Sequence, residues 1–228
     1  MLIELSYPIC PDMPKWPTNP AERFVYELST DRGCACNASS VFHHMHTGTH
    51  VDAPRHFDPA GKTIDQIPTE DFWYTAPLVL RLPKTKGQRV EREELKRAEK
   101  QIRACDILLL DLGYSELRET DPAAFADDFP SISPAAAQYL REEFPALKAV
   151  ALDSLSVDSP VTADKTGYPA HHCLLETSAA HPQRTLLIYE DVNVKKLRNV
   201  GRLSAICAFP LRFAGLEASP VSMVAFTE

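Results

Sequence analysis

The densest chemistry in the 228-residue chain is the run His43-His44-Met45-His46-Thr47-Gly48-Thr49-His50-Val51-Asp52-Ala53-Pro54-Arg55-His56-Phe57, where five of its eight histidines fall within fifteen residues. Neutral imidazole and carboxylate are donors that zinc and manganese accept from a protein. On an extended chain, residues 46, 48, 50 and 52 share one face and 47, 49 and 51 the other. An ideal strand would hold residues 46 and 50 about 13 Å apart, too far for two imidazoles to meet one ion. The spacing therefore predicts a turn or bulge at Gly48, which also leaves space beside the ion. A polar loop whose histidines only hydrogen-bond is the competing reading. Three histidines with an interleaved glycine and a following aspartate favour metal binding over it.

A second cluster lies far downstream, at Ala170-His171-His172-Cys173-Leu174-Leu175 and at Glu190, which closes the apolar run Leu186-Leu187-Ile188-Tyr189. A carboxylate at the end of a buried strand is costly unless it is paired or metal-bound. Taken alone this cluster is weak, because a His pair before an apolar stretch is usually structural and Glu190 can be an ordinary strand end beside Asp191. Cys34-Ala35-Cys36 has no second cysteine pair nearby and reads as two small side chains in a loop or strand.

These residues need a scaffold. Segments rich in Leu, Val and Ile predict strands at Ala76–Leu82, Asp106–Leu112, Lys148–Leu152, Thr185–Tyr189, Ala205–Phe213 and Val221–Phe226. Glu91–Arg103 predicts a helix, with Leu95, Ala98 and Ile102 at helical spacing. Ser133–Phe144 predicts another, with Ser133 as N-cap and Pro134 at the first helical position. Nineteen prolines against eight glycines imply rigid, extended connections. No repeat, low-complexity tract or linker divides the chain, so the expectation is one α/β domain over residues 1–228 with more strand than helix.

Composition bounds the partners. Apolar residues make up 44% and charged residues 24%, and the net charge is −7 with no long basic run. That points to a small-molecule substrate and away from nucleic acid or an anionic membrane. The apolar stretches are strand-length, too short to span a bilayer. Met1-Leu2-Ile3-Glu4-Leu5 lacks the basic and apolar regions of a signal peptide, so a cytoplasmic location and six reduced cysteines are expected.

The run from His46 to Phe57 resembles the H-x-G-T-H-x-D-x-P-x-H signature of the cyclase/kynurenine-formamidase (arylformamidase) family of metal-dependent hydrolases. Met13-Pro14-Lys15-Trp16-Pro17 is similar to that family's N-terminal Pro-x-Trp-Pro element. Asp153 to Asp158 with Ala170-His171-His172 resembles its second metal block, and Leu216-Glu217-Ala218-Ser219-Pro220-Val221 its C-terminal ending. The resemblance implies the swivelling β/β/α fold and a homodimer or homotetramer. It implies that His46, His50 and Asp52 ligate a first metal, and that Asp52 bridges to a second held by His171 and Glu190. Zinc is the implied ion, with manganese the alternative, at one or two per subunit. His56 would be the catalytic acid/base, and Trp16 would lie against an aromatic substrate.

This chain departs from the pattern in having eighteen residues between His171 and Glu190, more than the family's usual spacing. The surplus around Glu176 to Gln183, with His181 and Pro182, predicts a longer loop near the site. His171 is preferred to His172 because Leu174 and Leu175 then fall where the family has a buried pair.

The implied activity is hydrolysis of an amide (carbon–nitrogen) bond in a small aromatic molecule, as in the kynurenine pathway of tryptophan catabolism. Nearby cations lower the pKa of a water and polarise the scissile carbonyl. A histidine with an ordinary pKa near ~6.5 can accept that water's proton and return it to the leaving amine. Family members also open isatin-like rings, so a cyclic amide or lactone is an alternative substrate. A non-catalytic metal protein is a third reading, opposed by His56, since a catalytic site keeps an open position and a proton carrier nearby. Without the resemblance, His56 would compete with a solvated loop histidine after Arg55. Trp16 would read better as a packing anchor between two prolines.

Overall fold

A computed structural model describes residues 1–178 and 184–228. The strands are β1 (Leu2–Glu4), β2 (Arg23–Leu28), β3 (Ala38–Phe42), β4 (His50–Asp52), β5 (Trp73–Tyr74), β6 (Pro77–Arg81) and β7 (Arg89–Val90). They continue with β8 (Ile107–Asp111), β9 (Ser131–Ile132), β10 (Ala149–Leu152), β11 (Leu187–Glu190), β12 (Leu203–Pro210) and β13 (Ala218–Thr227). Between them run α1 (Arg92–Arg97), α2 (Glu99–Ile102), α3 (Ser115–Thr120), α4 (Pro122–Ala126), α5 (Pro134–Glu143), α6 (Ala163–Thr166) and α7 (Pro169–Leu175).

One sheet dominates, in the order β5-β12-β13-β4-β11-β10-β8-β6, with β1 added on β13. Its β6, β8, β10 and β11 are mutually parallel, and their near-continuous apolar sequences suit burial on both faces. The rest pair antiparallel. The sheet curls until β6 approaches β12, so it is nearly closed.

Alternation along the strands divides the core. Val51, Ile107, Leu109, Ala149, Ala151 and Tyr189 fill the inside of the curl. Leu108, Leu110, Val150, Leu152 and Ile188 face outward against α1, α5 and α7. The result is the single, strand-rich α/β fold that the sequence predicts, and no helix among the described residues is long and apolar enough to cross a membrane.

Several boundaries differ from expectation. The helix expected over Glu91–Arg103 is two, because a tight bond from Ala98 N to Leu95 O draws the chain into a 3₁₀ turn at Ala98. Leu95, Ala98 and Ile102 still reach the core. The strand expected to run to Phe213 stops at Pro210, which has no N–H to donate to the ladder. Conversely β13 begins at Ala218 and carries Pro220 inside it. The hairpin of β2 and β3 was not foreseen. Among the described residues it pairs only with itself, and it leaves Val25, Tyr26, Leu28, Val41 and Phe42 exposed. His181 and Pro182, in the expected longer loop, lie outside the described residues.

Candidate metal centre

The chain turns at Gly48, whose φ of 71° suits a residue with no Cβ. A methyl group there would also collide with the end of Met13. The turn delivers β4, a three-residue strand held between β13 and β11. In that register Glu190 lies opposite His50, and Ile188 opposite Asp52. All four side chains therefore share one face, while Val51 and Tyr189 enter the inner core. Helix α7 lies over this face and brings His171 onto it.

The donor atoms converge. His50 Nε2 is 3.4 Å from both Asp52 Oδ1 and Glu190 Oε2. His171 Nε2 is 3.7 Å from Asp52 Oδ2 and 3.5 Å from Glu190 Oε1. On the other flank, His46 Nδ1 is 2.9 Å from Asp52 Oδ1. His50, Asp52, His171 and Glu190 are all buried.

Two second contacts aim the imidazoles. His50 Nδ1 lies 2.8 Å from Gly48 O, which can only accept, so Nδ1 carries a proton and Nε2 is the nitrogen left to meet a metal. His171 Nδ1 is likewise 2.8 Å from Asp158 Oδ2. Asp158 also accepts from the backbone N–H groups of Ala170 and His171, fixing the start of α7. Nothing in the sequence gave Asp158 this role, although carboxylate–histidine pairs commonly orient ligands.

Among the described residues, no group is aligned to hydrogen-bond either Asp52 oxygen or His50 Nε2, His46 Nδ1 included, and all three atoms are buried. Unpartnered buried polar atoms are costly, and a cation would satisfy all three. The 3.4–3.7 Å donor separations are close to the edge of a tetrahedron around an ion with bonds of about 2.1 Å. The residues therefore fit a divalent metal. Among the described residues, two triplets have donor atoms within 4.8 Å of one another: His50, Asp52 and Glu190, and His46, Asp52 and His56. Asp52 is common to both, but His50 falls with Glu190, unlike the division that the resemblance implies. His172, nearly half exposed, points away to Glu176.

Without a metal, protons fill the gap. Against burial, which disfavours charge, the imidazoles His46, His50 and His56 hold the Asp52 carboxyl well below its usual range. Burial pulls His50 down, but Asp52 and Glu190 outweigh it and hold it at about 10. His56 goes the other way. Burial, with His46 and His171 beside it, pushes it to about 3 despite Asp52. Its ring stacks on His46 at 4.0 Å and meets Phe57 edge-on at 4.5 Å.

The centre forms the floor of a cavity of about 480 Å³. Trp16, Phe57, Leu155 and Tyr168 wall it, and His46, His56, His171, Glu190 and Glu217 line its polar side. Trp16 lies 6.1 Å from Tyr168 and edge-on to Phe129 at 6.0 Å, so it both packs and faces the cavity. Glu217 Oε1 is 3.2 Å from His46 Nε2, and that hydrogen bond lowers its carboxyl to about 2. The sequence reading assigned no role to Glu217, Phe57 or Tyr168. Glu217 and Phe57 lie within the C-terminal and His-rich motifs and Tyr168 just before His171, which is the signal that could have flagged them.

The comparisons agree with this architecture. The kynurenine formamidase of Salinibacter ruber is 26% identical over 231 residues, spanning 98% of this chain and 96% of its own. Isatin hydrolase A from Labrenzia aggregata superposes with a TM-score of 0.79 at 23% identity, covering 100% of this chain and 94% of that one. A structure named "predicted metal-dependent hydrolase from Bacillus stearothermophilus" gives 0.77 at 22%, covering 100% and 98%. The Cyclase family model, described as "Putative cyclase", matches residues 3–159, well over half of the sequence. The chain belongs to the cyclase family.

Proposed function

We propose that this protein is a metal-dependent hydrolase that cleaves the carbon–nitrogen bond of a small aromatic amide, in the manner of an arylformamidase. One observation carries the reading: buried, unpartnered donors on Asp52 and His50 lie against His46, His171 and Glu190, which line an aromatic-walled cavity. His46, His50, Asp52, His171 and Glu190 would hold the ion. Zinc is the expected metal and manganese the alternative, at one or two per subunit, since imidazole and carboxylate suit both. A divalent cation there supplies Lewis acidity, making water a nucleophile near neutral pH and stabilising charge on the carbonyl oxygen.

The chain's own residues do the rest. Trp16, Phe57 and Tyr168 hold an aromatic ring and exclude water from it. Asp158 and Gly48 O keep the protons of His171 and His50 on Nδ1. His56 takes the proton of the attacking water on a ring nitrogen and returns it to the leaving nitrogen as the carbon–nitrogen bond breaks. The relatives named kynurenine formamidase support a formylated arylamine, and thus a place in tryptophan catabolism. The structural likeness to isatin hydrolases favours a second reading, opening of a cyclic amide or lactone.

The proposal includes a cytoplasmic setting and assembly as a homodimer or homotetramer. The apolar side chains left exposed on β2 and β3 support the assembly, and a monomer by light scattering would count against it. Metal analysis alongside hydrolysis of formyl-anilides, cyclic imides and aryl esters tests the activity. Turnover that disappears on chelation and returns with zinc or manganese supports a hydrolase, and the preferred substrate separates the two readings. Bound metal with no turnover on any of the three classes would leave a structural metal protein.

A further inference from the structure

Among the described residues, only Tyr168 and Asp191 adopt a positive φ without being glycine. Both adjoin the candidate centre. Tyr168 precedes α7, which carries His171, and Asp191 directly follows Glu190. Left-handed backbone is unfavourable at a residue with a Cβ, less so for Asp than for Tyr, and is held in place by its surroundings.

At Asp191, with a φ of 52°, the surroundings are explicit. Its N–H donates to Ser154 O at 2.8 Å. Its carbonyl accepts from Thr49 Oγ1 at 2.7 Å, and Thr49 Oγ1 accepts in turn from Tyr7 N at 3.0 Å. Its carboxylate, with the residue only 1% exposed, is gripped by Arg118 in fork geometry, Nε to Oδ1 at 2.6 Å and Nη2 to Oδ2 at 2.7 Å. The Arg118 guanidinium lies 3.6 Å from the centre of the Tyr7 ring, which fixes its plane. The start of α3, the helix carrying Arg118, is tied to the end of β10. Asp153 accepts from the N–H groups of Leu112, Tyr114 and Ser115 and from Ser115 Oγ.

We propose that Arg118 is a positioning residue for Glu190: by clamping Asp191 in a left-handed conformation, it sets where the Glu190 carboxylate meets the metal. An unclamped Asp191 would relax toward extended backbone and rotate the end of β11. Glu190 Oε1 would then leave Val157 N, 2.8 Å away, and His171, and Oε2 would leave His50. The proposal rests on Glu190 being a metal ligand, as read above.

The test is the affinity of the metal-free protein for Zn²⁺ alone, measured by competition with a chromophoric chelator. Arg118→Met by itself strands a buried carboxylate and can unfold the chain, so it is paired with Asp191→Asn, which removes that charge. The R118M/D191N protein should fold, by circular dichroism, and bind Zn²⁺ roughly 10–100-fold more weakly, the usual effect of losing a group that orients a ligand. In a Glu190→Ala background the same pair should cause little further loss, because the ligand it positions is gone. Wild-type affinity in R118M/D191N, or an equal loss with and without Glu190, would overturn the clamp and leave the metal site standing. Unchanged affinity in Glu190→Ala alone would instead remove Glu190 from the site, and the clamp's role with it.

Discussion

His50 and Glu190 face each other across the antiparallel pair β4–β11, with His50 Nε2 3.4 Å from Glu190 Oε2. Sheet register, rather than any loop, brings the two halves of the centre together. Asp52, two residues along the same strand, therefore shares their face. Three donors are thus set by rigid backbone, and α7 adds the fourth, His171.

Replacing His50 or Asp52 with Ala should lower bound metal sharply and abolish hydrolysis, since each removes a donor. Metal content by elemental analysis and turnover on a formyl-anilide check this together. Full loading and activity in both variants would remove them from the centre.

His56→Ala should retain metal but lose turnover by ~10²–10⁴-fold, the usual contribution of acid/base assistance. The measurement has force because His56, with His46 and Asp52, also has donor atoms within 4.8 Å of one another. Loss of metal together with activity would make His56 a ligand.

Asp158→Asn should weaken metal binding by roughly 10–100-fold with the fold intact, because His171 then loses the carboxylate that orients its ring. Competition titration with Zn²⁺ reads this directly. Unaltered affinity would mean that helix α7 alone aims His171.

Metal removal should also create a pH dependence of stability. In the metal-free protein His50 is held at about 10, above its ordinary 6.5, so folding favours its protonated form. That contribution is complete below about 6.5 and is lost as pH rises through about 10. The metal-free Tm should fall over this window. The loaded protein, whose ligating imidazoles are already neutral, should lack that component of the fall. Parallel calorimetric profiles for the two forms would refute it.

Gly48→Ala should destabilise the protein by about 1–2 kcal/mol through its left-handed backbone, the Met13 methyl beside it being the flexible end of a side chain that can move aside. Urea denaturation measures the loss. A Gly48→Ala protein as stable as wild type would show that the turn has no such requirement.

Much of this was legible because its signals are local. The run His46–His56 and the turn at Gly48 follow from donor types, a two-residue period and the length of an extended chain. The parallel strands announced themselves as unbroken Leu, Val and Ile. The preference for His171 over His172 rests on Leu174 and Leu175, and the helix gives its physical reason. Ala170, His171, Leu174 and Leu175 form its buried side, which leaves His172 turned outward. Asp158, Glu217, Arg118 and Asp191 were beyond sequence reasoning, because each acts only through a partner distant in sequence. The hairpin of β2 and β3 was missed for a different reason: it has no buried face, so no apolar alternation marks it.

Strand β4 is three residues long, yet it is the seam that joins the antiparallel half of the sheet, through β13, to the parallel half, through β11. A seam this short cannot slide. A one-residue slip would carry His50 and Asp52 into the oily interior of the barrel and turn Val51 out toward the cavity, reversing every side chain on the strand. Misalignment that spoils the chemistry would therefore also unzip the molecule along its midline. Misfolded copies should be cleared as unstable protein rather than persist as inert enzyme.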